Sequence, residues 1–154
     1  MQTITTWKFQ VRWMIRFDLE EVLEIERLSY EEPWRASDFL ELLRRGHTVG
    51  YVAEANGKVL GYMMHEVNRH SLMLLNLTVH PYYRRLGIGK QMIRHARRKL
   101  SRWKRWRIDC IVRETSLDTL RFLRACEFRS CGVMKNYFEQ PYEDAIAMSF
   151  HLED

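Results

Sequence analysis

The chain has 154 residues, 46% of them hydrophobic and 29% charged, which fits one domain with a sizeable core and excludes a disordered or collagen-like chain. No apolar run is long enough to span a bilayer, and the N-terminal residues lack a secretory pattern. There are three cysteines and no C-x-x-C pair, which argues against a disulfide framework and against a structural zinc site. The net charge is +5, yet residues 84–107 hold 11 basic and no acidic residues, which predicts either an anionic ligand nearby or a solvated helix face. We therefore expect a single cytoplasmic domain over residues 1–154, with no membrane partner.

The first part of the chain predicts one strand and two helices. Alternating apolar residues over 7–15, starting at Trp7, predict the strand. Apolar residues at helical spacing predict a helix that begins after Asp18 as its N-cap. A second helix is predicted to begin at Ala36 or Ser37 and to end at Gly46.

Three strands are predicted in the middle of the chain. Asn56-Gly57 stands between two β-rich runs, 48–55 and 58–67, and this pair is the strongest short signal for a hairpin. Residues 72–79 form a nearly continuous apolar run, which is typical of a strand covered on both faces.

The last part of the chain predicts two helices and three strands around the same sheet. After Gly89 an amphipathic helix is predicted, with one apolar face formed by Ile88, Met92, Ala96 and Leu100. The remaining predictions are a strand over 107–112, a helix over 117–126 with Ser116 as N-cap, and strands over 131–137 and 145–152. The resulting order, β-α-α-β-β-β-α-β-α-β-β, predicts a mixed α/β domain around one sheet.

The turn between the apolar strand and the basic helix predicts an anion site. The first amides of a helix have no intrahelical partner and carry roughly half a positive charge. Gly87 and Gly89 let the backbone approach a ligand without a Cβ in the way. Such a turn is suited to a phosphate or a pyrophosphate.

This turn also carries a resemblance to a known family. Arg84-Arg85-Leu86-Gly87-Ile88-Gly89, preceded by Val79-His80-Pro81, resembles motif A of the GNAT acetyltransferase superfamily, Q/R-x-x-G-x-G/A. Residues 135–148 and the Tyr30-x-x-Pro33-Trp34 pattern look like the RimI-type branch, which acetylates protein N-terminal amines, in the type case on a ribosomal protein. The resemblance implies a GNAT-like fold, with one central, mixed and mostly antiparallel sheet flanked by about four helices, and acetyl-coenzyme A (acetyl-CoA) as cosubstrate.

The resemblance also implies which residues bind the cosubstrate. The backbone of Leu77, Thr78 and Val79 would pair with the pantetheine arm, although Leu77 and Val79 would also pack in the core. The motif residues would hold the pyrophosphate; they are Arg84, Arg85, Leu86, Gly87, Ile88, Gly89 and Lys90. Ser116, where the family has an asparagine, would cap its helix and hydrogen-bond the arm.

The proton-transfer residues depart from the family pattern. The RimI-type branch has a glutamate, its proposed general base, where this chain has Ile111, and a tyrosine, its proposed acid, where this chain has Leu123. Asp109 would share the face of Ile111 and could act through a water, or it is an ordinary strand carboxylate. Tyr137 matches a tyrosine that contacts the substrate backbone in N-terminal acetyltransferases, or it is a half-buried strand tyrosine. Asp109 and Tyr137 are therefore the candidate catalytic residues.

Whether the reaction can proceed without a general base depends on the type of amine. An α-amine has a pKa of ~7.7–8.0, and a lysine amine has a pKa of ~10.4. Without a base, the free energy needed to have the amine uncharged near neutral pH is therefore about 1 kcal/mol for an α-amine and about 4 kcal/mol for a lysine. Positioning of the reactants can supply ~7–11 kcal/mol. We therefore predict an acetyl-CoA-dependent N-acetyltransferase that works by direct attack in a ternary complex. The acceptor would be a protein N-terminus, such as that of a ribosomal protein, or a small-molecule amine.

Two further interpretations stay open. Because both proton-transfer positions are apolar, the chain could be a weak or inactive acyl-CoA-binding module. Trp103 and Trp106 interleave with basic residues over 97–107, which would suit nucleic-acid binding. We expect instead that Trp103 packs below the helix and that Trp106 enters the next strand. The cysteines are expected to be packing residues.

Overall fold

The computed structural model describes residues 8–153 and contains seven strands and four α-helices. In chain order they are β1 (Gln10–Trp13), α1 (Leu19–Ser29), α2 (Ala36–Arg44), β2 (Thr48–Ala55), β3 (Lys58–Val67), β4 (Ser71–Val79), α3 (Ile88–Arg97), β5 (Arg107–Arg113), α4 (Leu117–Ala125), β6 (Arg129–Glu139) and β7 (Tyr142–His151). This is the element order that the sequence predicts. Among residues 8–153, no helix has the length and apolarity needed to cross a bilayer.

The strands form one mixed sheet in the order β1-β2-β3-β4-β5-β7-β6. β4 and β5 pair in parallel, whereas β1 with β2, β5 with β7 and β6 with β7 pair antiparallel. At the turn between β2 and β3, Asn56 has a φ of 52° and Gly57 a φ of 77°, the left-handed pair that a two-residue hairpin requires. The predicted mixed, mostly antiparallel sheet with four helices is confirmed.

Several boundaries of helices and strands differ between the prediction and the structure. β1 begins at Gln10, and Trp7 lies outside the described residues. α3 ends at Arg97, so Leu100 does not belong to its apolar face. The Leu100 amide bonds to the Arg97 carbonyl at 3.0 Å, three residues back, because the chain leaves the helix in a tighter turn.

Two predictions about side chains at the end of the basic segment are wrong. Trp103 does not pack below the helix but is 93% exposed, because the helix has already ended and the residue stands in a turn. Trp106 stops one residue before β5, where its ring meets that of His151 edge-on. Among the cysteines, Cys110 and Cys126 are buried as expected, whereas Cys131 is exposed on the edge strand β6.

The described residues group into two compact units. The first comprises the chain up to Met64 together with Asn76–Met92. Its core contains apolar side chains from both helices, from the hairpin and from the start of α3; they include Val22, Ile25, Phe39, Leu60, Met64 and Met92. This unit holds the glycine turn.

The second unit comprises His65–Leu75 and the residues from Ile93 onwards. Alternate residues of β5, namely Ile108, Cys110 and Val112, are buried, and so are Leu123 of α4 and Phe128 beyond it. The period of two along β5 leaves Asp109 and Ile111 on the opposite face of the strand. This unit therefore holds the positions at which the sequence departs from the family pattern.

Candidate active site

The glycine turn has the geometry of an anion site. Val79 ends β4, and a short 3-10 turn at Pro81–Tyr83 precedes α3. Gly87 has a φ of 84°, and a Cβ built on it would meet no atom within 4 Å, so the space in front of the turn is open. The first backbone bond of α3 joins the Gln91 amide to the Gly87 carbonyl at 3.0 Å. The amides of residues 88–90 precede this bond and point out of the helix start.

The charge around this turn matches a pyrophosphate. Arg84, Arg85 and Lys90 are exposed beside the helix start, and the first turn of α3 has no acidic residue. The positive end of the helix and these cations act in the same direction, since both attract an anion. The residues present therefore fit the diphosphate of a coenzyme A ester.

Arg84 reaches away from the turn toward β4 and α1. Its Nε donates to the Val79 carbonyl at 3.1 Å, and one terminal nitrogen donates to the Ser29 hydroxyl at 3.2 Å. The side chain thus ties the end of β4 to the last residue of α1. The sequence assigned Arg84 to the pyrophosphate and did not indicate this structural contact.

The segment Leu77–Val79 continues β4 beyond its ladder with β5. The parallel pairs run from Ser71 with Arg107 to Leu74 with Cys110. Leu77–Val79 take no part in these pairs, so their backbone can accept an added extended segment. Leu77 and Val79 are half-buried and Thr78 is buried, so their side chains pack in the protein while the edge of the main chain not paired with β5 faces the added segment.

Asp109 and Ile111 line one shallow cavity of about 390 Å³, which confirms that the two side chains share a face. The Asp109 carboxylate accepts hydrogen bonds from the Nε of Arg107 at 2.8 Å and from the Ser149 hydroxyl at 2.7 Å. Each carboxylate oxygen therefore already has a protein partner.

Tyr137 stands on an irregular part of the last hairpin. Between Met134 and Phe138 the register of β6 with β7 shifts, Asn136 has a φ of 51°, and its amide donates to Asp144 Oδ1 at 2.8 Å. Tyr137 is half exposed and lines a cavity of about 350 Å³ together with Glu66, Asn68 and Ile111. The structure thus brings Tyr137 and Ile111 to one cavity, which the sequence did not indicate.

The remaining predicted positions, Leu123 and Ser116, differ in outcome. Leu123 is 1% exposed and packs in the core of its unit. Ser116 is the N-cap residue of α4, as predicted, but its side chain makes no cap hydrogen bond. Glu143 instead binds the turn before this helix, because its carboxylate accepts from the amide of Thr115 at 2.7 Å and from its hydroxyl.

A buried polar network in the first unit was missed by the sequence reading. Glu26 of α1 is 2% exposed and accepts hydrogen bonds from the Tyr62 hydroxyl and from Asn76 Nδ2, the latter at 3.2 Å. Thr78 donates to Asn76 Oδ1 at 2.8 Å, and the hydroxyls of Tyr30 and Thr78 are 2.9 Å apart. Burial raises the pKa of Glu26 despite these bonds. The helical spacing could have indicated the burial of Glu26, because a residue four positions after Val22 lies on the same, buried face of the helix.

Comparison with known proteins agrees with this geometry. The sequence model of the acetyltransferase (GNAT) family matches residues 19–128. A Bacillus subtilis (strain 168) protein, provisionally named ribosomal protein bS18-alanine N-acetyltransferase, is 28% identical over 142 residues, which cover 92% of this chain and 94% of that protein.

Solved structures share the fold over nearly the whole chain. The crystal structure of the ribosomal-protein-S18-alanine N-acetyltransferase from Escherichia coli superposes with a TM-score of 0.83 at 21% identity and covers 96% of both chains. Arabidopsis thaliana NAA60 in complex with acetyl-CoA has a TM-score of 0.83 at 16% identity, covering 94% of this chain and 100% of the other. Since the family match spans more than half of the sequence, this chain belongs to the acetyltransferase (GNAT) family.

Proposed function

We propose that this protein transfers the acetyl group of acetyl-CoA to the α-amine of a protein or peptide N-terminus, by direct attack of the amine in a ternary complex. The observation that carries the proposal is the open turn at Gly87, where the first amides of a basic helix point at one place. Similar proteins named for acetylation of an alanine of ribosomal protein bS18 support the choice of acceptor.

The donor half of the site is assigned to the first unit. The amides of residues 88–90 and the cations of Arg85 and Lys90 would hold the pyrophosphate, and the main chain of Leu77–Val79 would pair with the pantetheine arm. When bound, acetyl-CoA supplies the thioester carbonyl that the amine attacks. Arg84 acts indirectly, because its bonds to Val79 and Ser29 keep the end of β4 in place.

In the second unit, Tyr137 is the candidate contact for the acceptor main chain. Its phenol faces a cavity of about 350 Å³ and is accessible to solvent. Asp109 is the carboxylate on the Ile111 face, and it would act on the amine through a water. Both of its oxygens already accept hydrogen bonds, from Arg107 and from Ser149, which favours a substrate amine that needs little help from a base.

The α-amine meets this requirement. Near neutral pH roughly a quarter of an α-amine is already uncharged, against roughly one lysine amine in a thousand. The test measures thiol release from acetyl-CoA with two peptides, one having a free N-terminus and the other a blocked N-terminus and a single lysine. We expect turnover with the first peptide and a rate that rises with pH up to about pH 8. Preference for the lysine peptide, or a flat pH profile around pH 8, would contradict the proposal.

A second candidate function is supported by the two apolar positions. Ile111 cannot take a proton, and Leu123 is buried where the family has a phenol. These features would suit a module that binds acyl-CoA without turnover. Calorimetry with acetyl-CoA combined with thiol release over a broad amine panel distinguishes the two, because tight binding without turnover supports the module.

The cellular setting follows from the acceptor. If the acceptor is the N-terminus of a ribosomal protein, the protein acts in the cytoplasm, as one acetyltransferase domain over residues 1–154. Mass spectrometry of ribosomal proteins incubated with the enzyme and acetyl-CoA tests this partner, and acetylation confined to lysine side chains would exclude it.

A further inference from the structure

A carboxyl group is buried in the same unit as the segment assigned to the pantetheine arm. Glu26 is 2% exposed and Tyr62 is fully buried, and the Tyr62 hydroxyl donates to the Glu26 carboxylate. Asn76, three residues before the end of β4, donates through Nδ2 to Glu26 Oε1 at 3.2 Å and to the Tyr62 oxygen at 3.0 Å. A carboxylate only accepts hydrogen bonds, so it holds both neighbours in the role of donors.

The Glu26 carboxyl, whose oxygens accept from both neighbours, therefore determines which way the Asn76 amide points. Its NH₂ group faces the carboxylate, and its oxygen faces Thr78. The Thr78 hydroxyl donates to that oxygen at 2.8 Å, which uses the single proton that a hydroxyl has. Thr78 can then take part in other bonds only as an acceptor.

The direction of the hydrogen bonds at Thr78 also fixes the role of Tyr30, which follows the last residue of α1. The Tyr30 hydroxyl lies 2.9 Å from the Thr78 oxygen and must be the donor of that bond. The lone pairs of the Tyr30 oxygen remain to accept a bond from elsewhere. Tyr30 is 46% exposed as a residue, so part of its ring faces solvent while its hydroxyl lies against the buried Thr78. Burial of the hydroxyl raises the pKa of Tyr30, so the phenol keeps its proton at neutral pH.

We propose that the Tyr30 oxygen accepts an N–H hydrogen bond from the acceptor amine, and that Glu26 is the positioning residue that keeps Tyr30 in this accepting state. The inference rests on the proposed N-acetyltransferase function and names a residue for its acceptor. An amine attacks through its nitrogen lone pair, so a group that holds one of its N–H bonds fixes where the lone pair points. This contact orients the amine without removing its proton, which suits an enzyme with Ile111 at the position of the base.

The first variant is Tyr30→Phe, which keeps the ring and removes only the oxygen. We expect kcat/KM for a peptide with a free N-terminus to fall about threefold to tenfold, the effect of one lost hydrogen bond, while KM for acetyl-CoA stays unchanged. Tyr142→Phe is the matched control, because Tyr142 is a 78% exposed tyrosine at the start of β7, and the activity of this variant should stay at the wild-type value. If Tyr30→Phe retains wild-type kcat/KM, the inference is wrong and the proposed function stands.

Glu26 is tested through its dependence on Tyr30. Glu26→Gln replaces one accepting oxygen by an NH₂ donor beside Asn76 and so disturbs the direction of the network. We expect a similar fall in kcat/KM for the acceptor, and no further fall when Glu26→Gln is added to Tyr30→Phe. A purely structural role would instead give additive losses and an altered KM for both substrates.

Thr78→Val tests the network without changing the buried Glu26 carboxyl group. It keeps the β-branched shape and the backbone and removes the hydroxyl that receives the Tyr30 proton. We expect a fall in kcat/KM for the acceptor with the acetyl-CoA KM preserved, and an unchanged kcat/KM would overturn the inference. If the wild-type protein itself releases no thiol with any amine, the proposed function falls, and this inference falls with it.

Discussion

Gly61 of β3 lies directly against the carbonyl of Thr78 on β4. A Cβ built on Gly61 would come within 2.9 Å of the Thr78 oxygen and 3.3 Å of the Val79 Cα. Both neighbours are main-chain atoms of the segment assigned to the pantetheine arm, so they can give way only if that segment moves. The absence of a side chain at this position therefore keeps β4 where the cosubstrate is expected to pair with it.

We expect Gly61→Ala to lower the stability by about 1–3 kcal/mol and to weaken acetyl-CoA binding, because the added methyl group displaces Thr78 and Val79. Thermal unfolding and calorimetry with acetyl-CoA measure the two effects. Gly132→Ala is the matched control, since a Cβ on this strand glycine would meet no atom within 4 Å. Equal acetyl-CoA affinity in both variants would show that the arm does not pair with this segment.

The backbone of Gly87 provides a second prediction. With a φ of 84° it adopts a conformation that costs other residues about 1–3 kcal/mol, and Gly46 at the end of α2 has a similar φ of 73°. Gly87→Val and Gly46→Val should therefore lose similar amounts of stability. Only Gly87→Val should also lose acetyl-CoA affinity, by tenfold or more in calorimetry, because its side chain would occupy the open space before the helix. Unimpaired binding by Gly87→Val would remove the main support for the cosubstrate site.

Arg84→Met should weaken acetyl-CoA binding about threefold to tenfold. The variant keeps an unbranched apolar stem but loses both the bond to the Val79 carbonyl and the bond to Ser29. Arg44→Met, on the last turn of α2, removes a cation outside the glycine turn and serves as control. If only the loss of a positive charge mattered, both variants would show the same decrease in acetyl-CoA affinity and the same dependence on salt. The proposed role predicts weaker acetyl-CoA binding in Arg84→Met alone.

His65 should make the protein sensitive to mild acid. Burial, with a smaller contribution from the positive charge of Lys99, lowers the pKa of His65 to about 4. An unfolded histidine has a pKa of about 6.5, so the unfolded chain binds the extra proton first as the pH falls. The stability is therefore complete above about pH 6.5 and decreases toward pH 4, by about 3 kcal/mol.

Urea unfolding of His65→Leu between pH 7 and pH 4 measures this contribution. We expect the variant to lose less stability over this range than the wild type does. His47→Gln removes an exposed histidine and should keep the wild-type slope. Identical slopes for His65→Leu and the wild type would mean that the pKa of His65 is the same in the folded and the unfolded protein, and would contradict the prediction.

The local elements of this protein are predictable because short segments carry their own signals. Asn56 and Gly57 tolerate left-handed backbone, so the hairpin follows from two neighbouring residues. The buried face of α3 follows in the same way from the four-residue spacing of Ile88, Met92 and Ala96. The motif at Gly87 is a short local pattern of the same kind, directly before α3, so the fold and a prediction of the cosubstrate site both follow from the sequence.

The tertiary structure alone decided which polar groups meet. Glu26 and Asn76 are 50 residues apart in the chain, and no local pattern relates a helix carboxylate to a strand amide. Thr115 is likewise bound by Glu143 from a distant strand, while Ser116, next to the helix it was predicted to cap, makes no cap bond. The physical reason is that backbone preferences act over a few residues, whereas burial and hydrogen-bond pairing depend on where distant segments lie after the chain has folded.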